Sequence, residues 1–334
     1  MLDIKKDVIL APFTTFRIGG VAKFLVEVKN EEEIEEAVQY AIENNLNYFI
    51  LGGGSNILVS DNGFNGLVIK IHDTKYIIHD TAIECGAGLP LSEAVKNASD
   101  NSLSGLEWAA GILGTIGGAV RGNAGAFGGS ISDTVEKIKV LAVDVNSDEK
   151  NKLPNFQFPI SNFQSNPNDQ NSKIILLAKE QCGFGYRDSI FKKYKNLVIL
   201  SVTLGLTAGN KEVIQKQISD NIANRIIKQP KGFSAGSFFT NPVVHDPKLL
   251  KTFQDEIGQA ARNNMLPAGW LIEMVGLRGF SVGGSKVSDQ HGNFVLNTGS
   301  AKAEDVLMLA SIIKQRVRDE LGVQLTEEIQ LVGF

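Results

Sequence analysis

Nine glycines fall within the 25 residues 105-GLEWAAGILGTIGGAVRGNAGAFGG-129, and no other stretch restricts the fold as strongly. Each glycine loses backbone entropy and packs no side chain, so this density works against a plain helix or strand. It makes sense where backbone must approach backbone, or a bound molecule. A second cluster, 52-GGGSNILVSD-61, follows the apolar run 48-YFIL-51. Its glycines can turn the chain tightly and aim backbone N–H groups inward, as a pyrophosphate requires, with Ser55 and Asn56 as side-chain donors. An ordinary glycine turn accounts for the same letters. Neither cluster is a G-x-G-x-x-G opening a helix or a P-loop ending in Lys-Ser/Thr, so the usual NAD and ATP assignments lose support.

The periodicity around these clusters indicates mixed α and β structure. Residues 24–28 read as a strand and 30–45 as a helix, with Asn30 and Glu33 in capping-box relation and Ile34, Ala37, Val38, Ala41 and Ile42 on one face. Strands follow at 48–51, 66–71, 75–80 and 81–86, then a short helix near Pro90. Further strands at 135–145 and 174–181 flank 146–173, whose Asn, Gln, Ser, Pro and Lys content marks an exposed insertion. A strand at 197–206, helices at 210–229 and 270–277, and a last helix after Ser300 complete the order. That helix presents Val306, Leu309, Ala310, Ile313 and Val317 and stops at Gly322, before a closing strand at 328–334.

Composition excludes several function classes. The 334 residues carry 33 Lys and Arg against 37 Asp and Glu, a formal charge of −4 that gives no basic field for a nucleic-acid backbone. Lys5, Lys6 and Asp7 interrupt any signal-peptide core, and no run of 18 apolar residues is present, so a cytoplasmic protein without membrane insertion is expected. Two cysteines, Cys85 and Cys182, with His72, His79, His245 and His291 at wide spacing, make no metal site. Any redox chemistry must therefore be carried by an organic cofactor.

Three residues are candidates for the chemistry. In 183-GFGYRDSIFK-192, an extended backbone would turn Arg187 to the face opposite Asp188, where a guanidinium can neutralise a carboxylate or enolate. In 234-SAGSFFTNP-242, Ser237 can deliver a proton to a basic carbanion held against it, and no G-x-S-x-G elbow suggests acyl transfer. Of Glu327 and Glu328, one carboxylate can be held inward while the other faces water. A solvated arginine, a turn serine and a solvated acid pair are the ordinary readings of the same positions.

Those stretches, together with 14-TTFRIGG-20, 267-PAGWLIEMVGLRGFSVGGSKVSDQHGNF-294 and 327-EEIQLVG-333, resemble the UDP-N-acetylenolpyruvoylglucosamine reductase family in order along nearly the whole chain. The resemblance is to the shorter family form, which lacks a tyrosine-bearing insertion. It implies an α+β protein: a two-domain FAD-binding fold like the vanillyl-alcohol-oxidase flavoproteins, with a third α+β domain for the substrate. The implied limits are 1–72 with 323–334, 73–208 including the 146–173 insertion, and 209–322. The implied activity belongs to peptidoglycan precursor synthesis: NADPH reduces FAD, and UDP-N-acetylenolpyruvoylglucosamine receives hydride at C3 and a proton at C2, giving UDP-N-acetylmuramate. A monomer is expected.

At the matching positions the resemblance makes Ser237 the proton donor and sets Arg187 and Glu328 near the substrate carboxylate and intermediate. Gly52, Gly53, Gly54, Ser55, Asn56, Gly111, Gly114, Thr115, Gly117, Gly118 and Gly122 would contact FAD, and Arg225, Gln229 and Asn241 the UDP-sugar. Leu113, Thr240, Glu327 and Gln330 replace the proline, lysine, proline and arginine common in the family. Two other readings remain open at this stage: a flavin oxidoreductase acting on a different alcohol or acid, and a non-enzymatic nucleotide-binding protein, which would leave Arg187, Ser237 and Glu328 without a shared task.

Overall fold

The computed structural model describes residues 2–143 and 172–334. The expected insertion at 146–173 thus lies outside the described residues as far as 171, and Ser172–Ala178 is already strand. Two compact units emerge: Met1–Lys5, Phe24–Gly53 and Gly66–Arg225 form the first, and Lys6–Lys23, Gly54–Asn65 and Ile226–Phe334 the second. Among the described residues no helix is long and apolar enough to cross a membrane.

In the first unit, the Glu31–Glu43 helix starts at Asn30, whose Oδ1 accepts the Glu33 N–H at 2.8 Å. Glu33 reaches past the cap to accept the Lys29 N–H, so the expected capping box closes one residue early. The helix buries Ile34, Ala37, Val38 and Ala41, while Ile42 packs at the margin of the core. The strand Tyr48–Leu51 lies parallel to Phe64–Ile71, with Tyr48 opposite Leu67 and Leu51 opposite Lys70. Leu51 ends the strand, which sets Gly52 just beyond the sheet.

An antiparallel five-stranded sheet completes this unit, in the order Ser172–Ala178, Val135–Val143, Leu197–Gly205, Ala82–Gly86, Tyr76–His79. Its central strand is buried without a break from Leu197 to Val202, the pattern of a strand covered on both faces. A helix, Ile116–Gly122, does form inside the glycine run. Thr115 caps it, Asn123 ends it in the left-handed region at φ 41°, and Ile116, Ala119 and Val120 are buried. Packing and caps here outweigh the poor intrinsic propensity of three glycines.

The second unit gathers two short segments from early in the chain around the C-terminal third. Ile57–Val59 pairs in parallel with Gln330–Val332. The strands Ser281–Val282, Ser285–Val287 and Val295–Asn297 make an antiparallel sheet. The helix Ala303–Leu321 buries Val306, Leu309, Ala310, Ile313 and Val317, the face its periodicity marked, and Gly322 closes it at φ 68°. Phe16, Ile18 and Leu58 from the early segments join that core.

The start of this helix is held by residues distant in sequence. Asp61 accepts the Ala303 N–H at 3.0 Å and the Glu304 N–H at 3.2 Å, while Asp305 accepts from Lys302 and Gly284 at 3.0 and 3.1 Å. The backbone donors of Lys302 and Gly284 hold the Asp305 carboxyl below its ordinary 3.8. Its contribution is therefore complete above that value and is lost as the pH falls through the lowered folded-state pKa. Removing Asp61 leaves two first-turn N–H groups without their acceptor. Asp61→Ala is expected to lower stability by about 1–2 kcal/mol and Asp61→Asn by less, read from thermal or urea midpoints; equal midpoints for Asp61→Ala and the parent protein would refute the cap.

Candidate active site

Within the first unit the two glycine clusters meet. A Cβ on Gly53 would stand 2.6 Å from Gly114 Cα, and one on Gly52 would stand 2.7 Å from Thr115 Oγ1. No side chain fits between the Gly53 and Gly114 backbones, so glycine is required at Gly53 by contact, while Gly114 also adopts a φ of 130°. Lys70 donates its ammonium to the Gly52 carbonyl. The helix that follows uses its leading N–H groups internally: Ile116 and Gly117 donate to Leu89 and Ala87 at 2.9 Å, and Gly118 to Thr115 Oγ1 at 3.4 Å. Gly117 carries no Cβ because one would approach Ala87 Cβ to 2.9 Å. Gly118 and Gly122, four residues apart on one face, are open by contrast: a Cβ at Gly118 would meet only Thr115 Oγ1 at 3.6 Å, and one at Gly122 nothing within 4 Å. The run thus serves two ends, close packing at Gly114 and Gly117 and a bare backbone face at Gly118 and Gly122.

Arg187 does not lie on an extended strand. Gly185 and Asp188 exchange backbone hydrogen bonds at 3.0 and 3.2 Å, and between them Arg187 is left-handed at φ 56°. Reversal over two residues replaces the expected alternation and carries the chain into the Ile190–Lys193 helix. The turn docks on the carbonyl end of Ile116–Gly122: Ser189 Oγ donates to Arg121 O at 2.7 Å, and Arg187 donates to Asn123 O at 3.4 Å and Gly125 O at 2.7 Å. Cationic donors suit the last carbonyls of a helix. Asn123 returns a bond from its Nδ2 to Gly185 O at 2.8 Å.

Arg225, at the end of the Lys211–Lys228 helix, belongs to this unit as well. Its Nε donates to Ala110 O at 2.7 Å and Nη2 to Trp108 O at 3.3 Å, with the guanidinium 4.9 Å from the Phe127 ring centroid. Burial, and then the charge of Arg187, push its pKa below the ordinary value. Gly111 is left-handed at φ 76°, and a Cβ there would press on Arg225 Cδ at 2.9 Å. One turn earlier, Asn221 donates to Glu107 O at 2.8 Å, so the helix grips the glycine run at three carbonyls.

In the second unit, Ser237 sits between glycine and two buried rings. Gly236 supplies φ 77°, and Phe238 and Phe239, each 1% exposed with centroids 4.9 Å apart, anchor the residues that follow. The Glu328 N–H donates to Phe238 O at 2.8 Å and Thr240 N–H to Thr326 O at 2.9 Å, and Phe239 and Glu327 form an antiparallel bridge, so the backbone that follows Ser237 runs beside that at Glu328. Behind Glu328, Asn56 Nδ2 donates to the Glu328 carbonyl at 3.3 Å and Asn56 O accepts from Gln330 N at 3.0 Å. Glu327 pairs with Lys314 at 2.9 Å. Asn241 Oδ1 accepts the Ala268 N–H at 2.9 Å at the start of the Ala268–Met274 helix. Gln229 is half-buried just beyond the Lys211–Lys228 helix, and Gly54 stands at φ 64° where a Cβ would strike the Phe13 carbonyl.

Arg187 therefore belongs to the first unit, and Ser237 and Glu328 to the second. Sequence reading missed Lys70 and Asn221, single polar letters within ordinary-looking stretches, and Asn123, a polar letter inside the glycine run. It also gave no role to Asn293, which lies in 286-KVSDQHGNF-294, a stretch that it had singled out.

Known proteins match along nearly the whole chain. The family model for an FAD binding domain matches residues 22–144, and that for the UDP-N-acetylenolpyruvoylglucosamine reductase C-terminal domain matches 228–332. The UDP-N-acetylenolpyruvoylglucosamine reductase of Clostridioides difficile strain 630 is 35% identical over 99% of this chain and 94% of its own length. That of Caldanaerobacter subterraneus subsp. tengcongensis is 35% identical over 96% of this chain and 90% of its own. The crystal structure of the Thermus caldophilus reductase superposes with a TM-score of 0.71 at 30% identity, covering 99% of this chain and 100% of that one. With relatives at this identity matched over nearly their full length, the chain belongs to the UDP-N-acetylenolpyruvoylglucosamine reductase family.

Proposed function

We propose that the protein is a flavin-dependent oxidoreductase that reduces UDP-N-acetylenolpyruvoylglucosamine to UDP-N-acetylmuramate, with FAD as its bound cofactor and NADPH as the electron donor. Family membership supports the reaction class. The observation of geometry that carries the reading is the fixing of Ser237 between a left-handed glycine and two buried phenylalanines, the first of which accepts the Glu328 N–H. A hydroxyl is a weak acid and protonates a carbanion only when held against it. The buried, hydrogen-bonded residues that follow Ser237 support that reading.

The glycine site fits the cofactor. The Gly53–Gly114 contact admits no side chain, and Gly118 and Gly122 leave backbone bare for a flat dinucleotide to lie against. Gly52 to Asn56 and Gly111, Gly114, Thr115, Gly117, Gly118 and Gly122 are the residues we assign to holding it, Gly117 through its packing on Ala87. Bound FAD supplies hydride carriage between NADPH and the sugar. The protein's part is to align and neutralise. Arg187 offers a guanidinium to the substrate carboxylate as charge spreads into it, Glu328 orients the reacting end, and Ser237 gives its proton to C2. Arg225, Gln229 and Asn241 are assigned to the UDP-sugar, with Arg225 and Asn241 each already fixed on one side by a bond to backbone. We place the enzyme in the cytoplasm as a monomer, in the supply of peptidoglycan precursors.

The direct test is anaerobic: reduce the purified holoprotein with NADPH, add the enolpyruvyl UDP-sugar, and follow flavin absorbance and product mass together. Bleaching, then recovery of colour with a product two hydrogens heavier, is expected. Colour that does not recover on adding the sugar refutes the assignment of substrate. Ser237→Ala should keep its flavin and its reduction by NADPH while reoxidation slows on the order of 100-fold or more. Unchanged reoxidation would remove Ser237 from the proton route. Arg187→Lys keeps a charge but loses the planar fork that spans two carbonyls, and should slow reoxidation nearly as much as Arg187→Ala; parental rates in Arg187→Lys would show that charge alone suffices. Gly53→Ala forces the two glycine backbones apart, so the purified variant should carry well under half the parental flavin, measured by absorbance ratio. Full flavin occupancy would show that the contact is not part of the cofactor site.

A further inference from the structure

We propose that Asn293 is a positioning residue for Ser237, acting through the two peptide groups that follow the serine. The inference rests on the reading of Ser237 as proton donor. Asn293 is 4% exposed, and its carboxamide lies along the chain at Phe239: Oδ1 accepts the Phe239 N–H at 2.9 Å and Nδ2 donates to the Phe239 carbonyl at 2.8 Å. Its own carbonyl accepts the Phe238 N–H at 2.8 Å, while the Phe238 carbonyl is taken by Glu328 N–H at 2.8 Å. All four backbone polar groups of Phe238 and Phe239 are thereby satisfied, three of them by one residue. The next residue, Phe294, forms a bridge with Ser237 itself. The side-chain amide takes the place of one more residue of a paired strand, locking 237–239 where a regular ladder would otherwise end.

Asn293 is held in turn. His291 Nδ1 accepts the Asn293 N–H at 3.1 Å, which places the imidazole proton on Nε2. Burial holds the His291 pKa below its ordinary value, opposed by the carboxylate of Glu273 and assisted by Arg278. A neutral ring with Nδ1 as acceptor is the form this bond needs. Gly269 admits the ring, since a Cβ there would stand 2.9 Å from His291 Cε1. Glu273, paired with Arg278 at 2.7 Å, accepts the Gly292 N–H at 2.9 Å. The turn 288–294 is thus built around presenting one amide to the serine segment.

A residue that merely fills a backbone need would affect folding and both half-reactions alike. A positioning residue affects proton delivery alone. In anaerobic stopped-flow on the holoenzyme, Asn293→Ala should be reduced by NADPH within about 2-fold of the parent rate, while reoxidation by UDP-N-acetylenolpyruvoylglucosamine slows roughly 10- to 100-fold, as a shift of an ångström or less at a reacting group allows. Its solvent deuterium isotope effect on reoxidation should rise. Ser237→Ala/Asn293→Ala should reoxidise within about 2-fold of Ser237→Ala, because residues that act through one another are not additive. Equal losses in the two half-reactions, or a double variant slowed by the product of the single effects, overturns the proposal. A parental rate in Ser237→Ala would sink the donor reading itself, whereas a slow Ser237→Ala beside a fast Asn293→Ala sinks only the positioning role. Should Asn293→Ala fail to accumulate as folded protein, Asn293→Asp replaces it in the same cycle: its carboxylate still accepts from Phe239 N–H but offers no donor to the carbonyl.

Discussion

Two main chains pass in contact only where neither carries a β-carbon, and the crossing of Gly53 with Gly114 meets that condition. Much of the first unit is arranged around it. The parallel strand Tyr48–Leu51 delivers Gly52 and Gly53, Leu89 and Ala87 hold the start of the Ile116–Gly122 helix, and Asn221 and Arg225 restrain the approach from Glu107 to Gly111. The close approach depends on neighbours that keep both strands of backbone in place. Arg187 is attached to the same assembly, since its turn is docked on the far end of the helix whose near end touches the crossing. The glycine crossing and the Arg187 guanidinium therefore stand at the two ends of one short helix.

The second unit solves a different problem, that of fixing a hydroxyl on irregular chain. Gly236 provides a backbone angle, two phenylalanines supply buried area, and the carboxamide of Asn293 supplies hydrogen bonds that a neighbouring strand would otherwise give. Buried peptide groups are costly unless paired. Their complete pairing at Phe238 and Phe239 makes this stretch stiff. The departures from the family pattern fit without disturbance: Thr240 bonds to the Thr326 carbonyl, Glu327 pairs with Lys314, and Leu113 stands exposed.

Periodicity read the regular elements well because local sequence determines them. The Glu31–Glu43 and Ala303–Leu321 helices bury the faces their spacing marked, and Tyr48–Leu51 begins and ends where its letters indicate. The glycine clusters were legible as places of close approach, but their partners were not. Gly53 meets Gly114, Asp61 caps a helix some 240 residues onward, and Asn56 holds the strand after Glu328, pairings that no local pattern encodes. Arg187 was misread as extended because an arginine gives no hint of φ 56°; only the exchange of bonds between Gly185 and Asp188 forces that turn. The glycine-run helix was hidden for a related reason, since caps and burial, which act through distant neighbours, outweigh composition there.

The way the second unit is stitched from Lys6–Lys23, Gly54–Asn65 and Ile226–Phe334 bears on how the molecule emerges from the ribosome. Every residue of the first unit has been made once Arg225 is added, whereas the early segments of the second then have no core to join. Synthesis of the remaining third takes roughly 5–20 s at about 5–20 residues per second. During that interval Phe16, Ile18 and Leu58, all destined for burial, wait on the nascent chain, so this is the window in which a chaperone has apolar surface to bind.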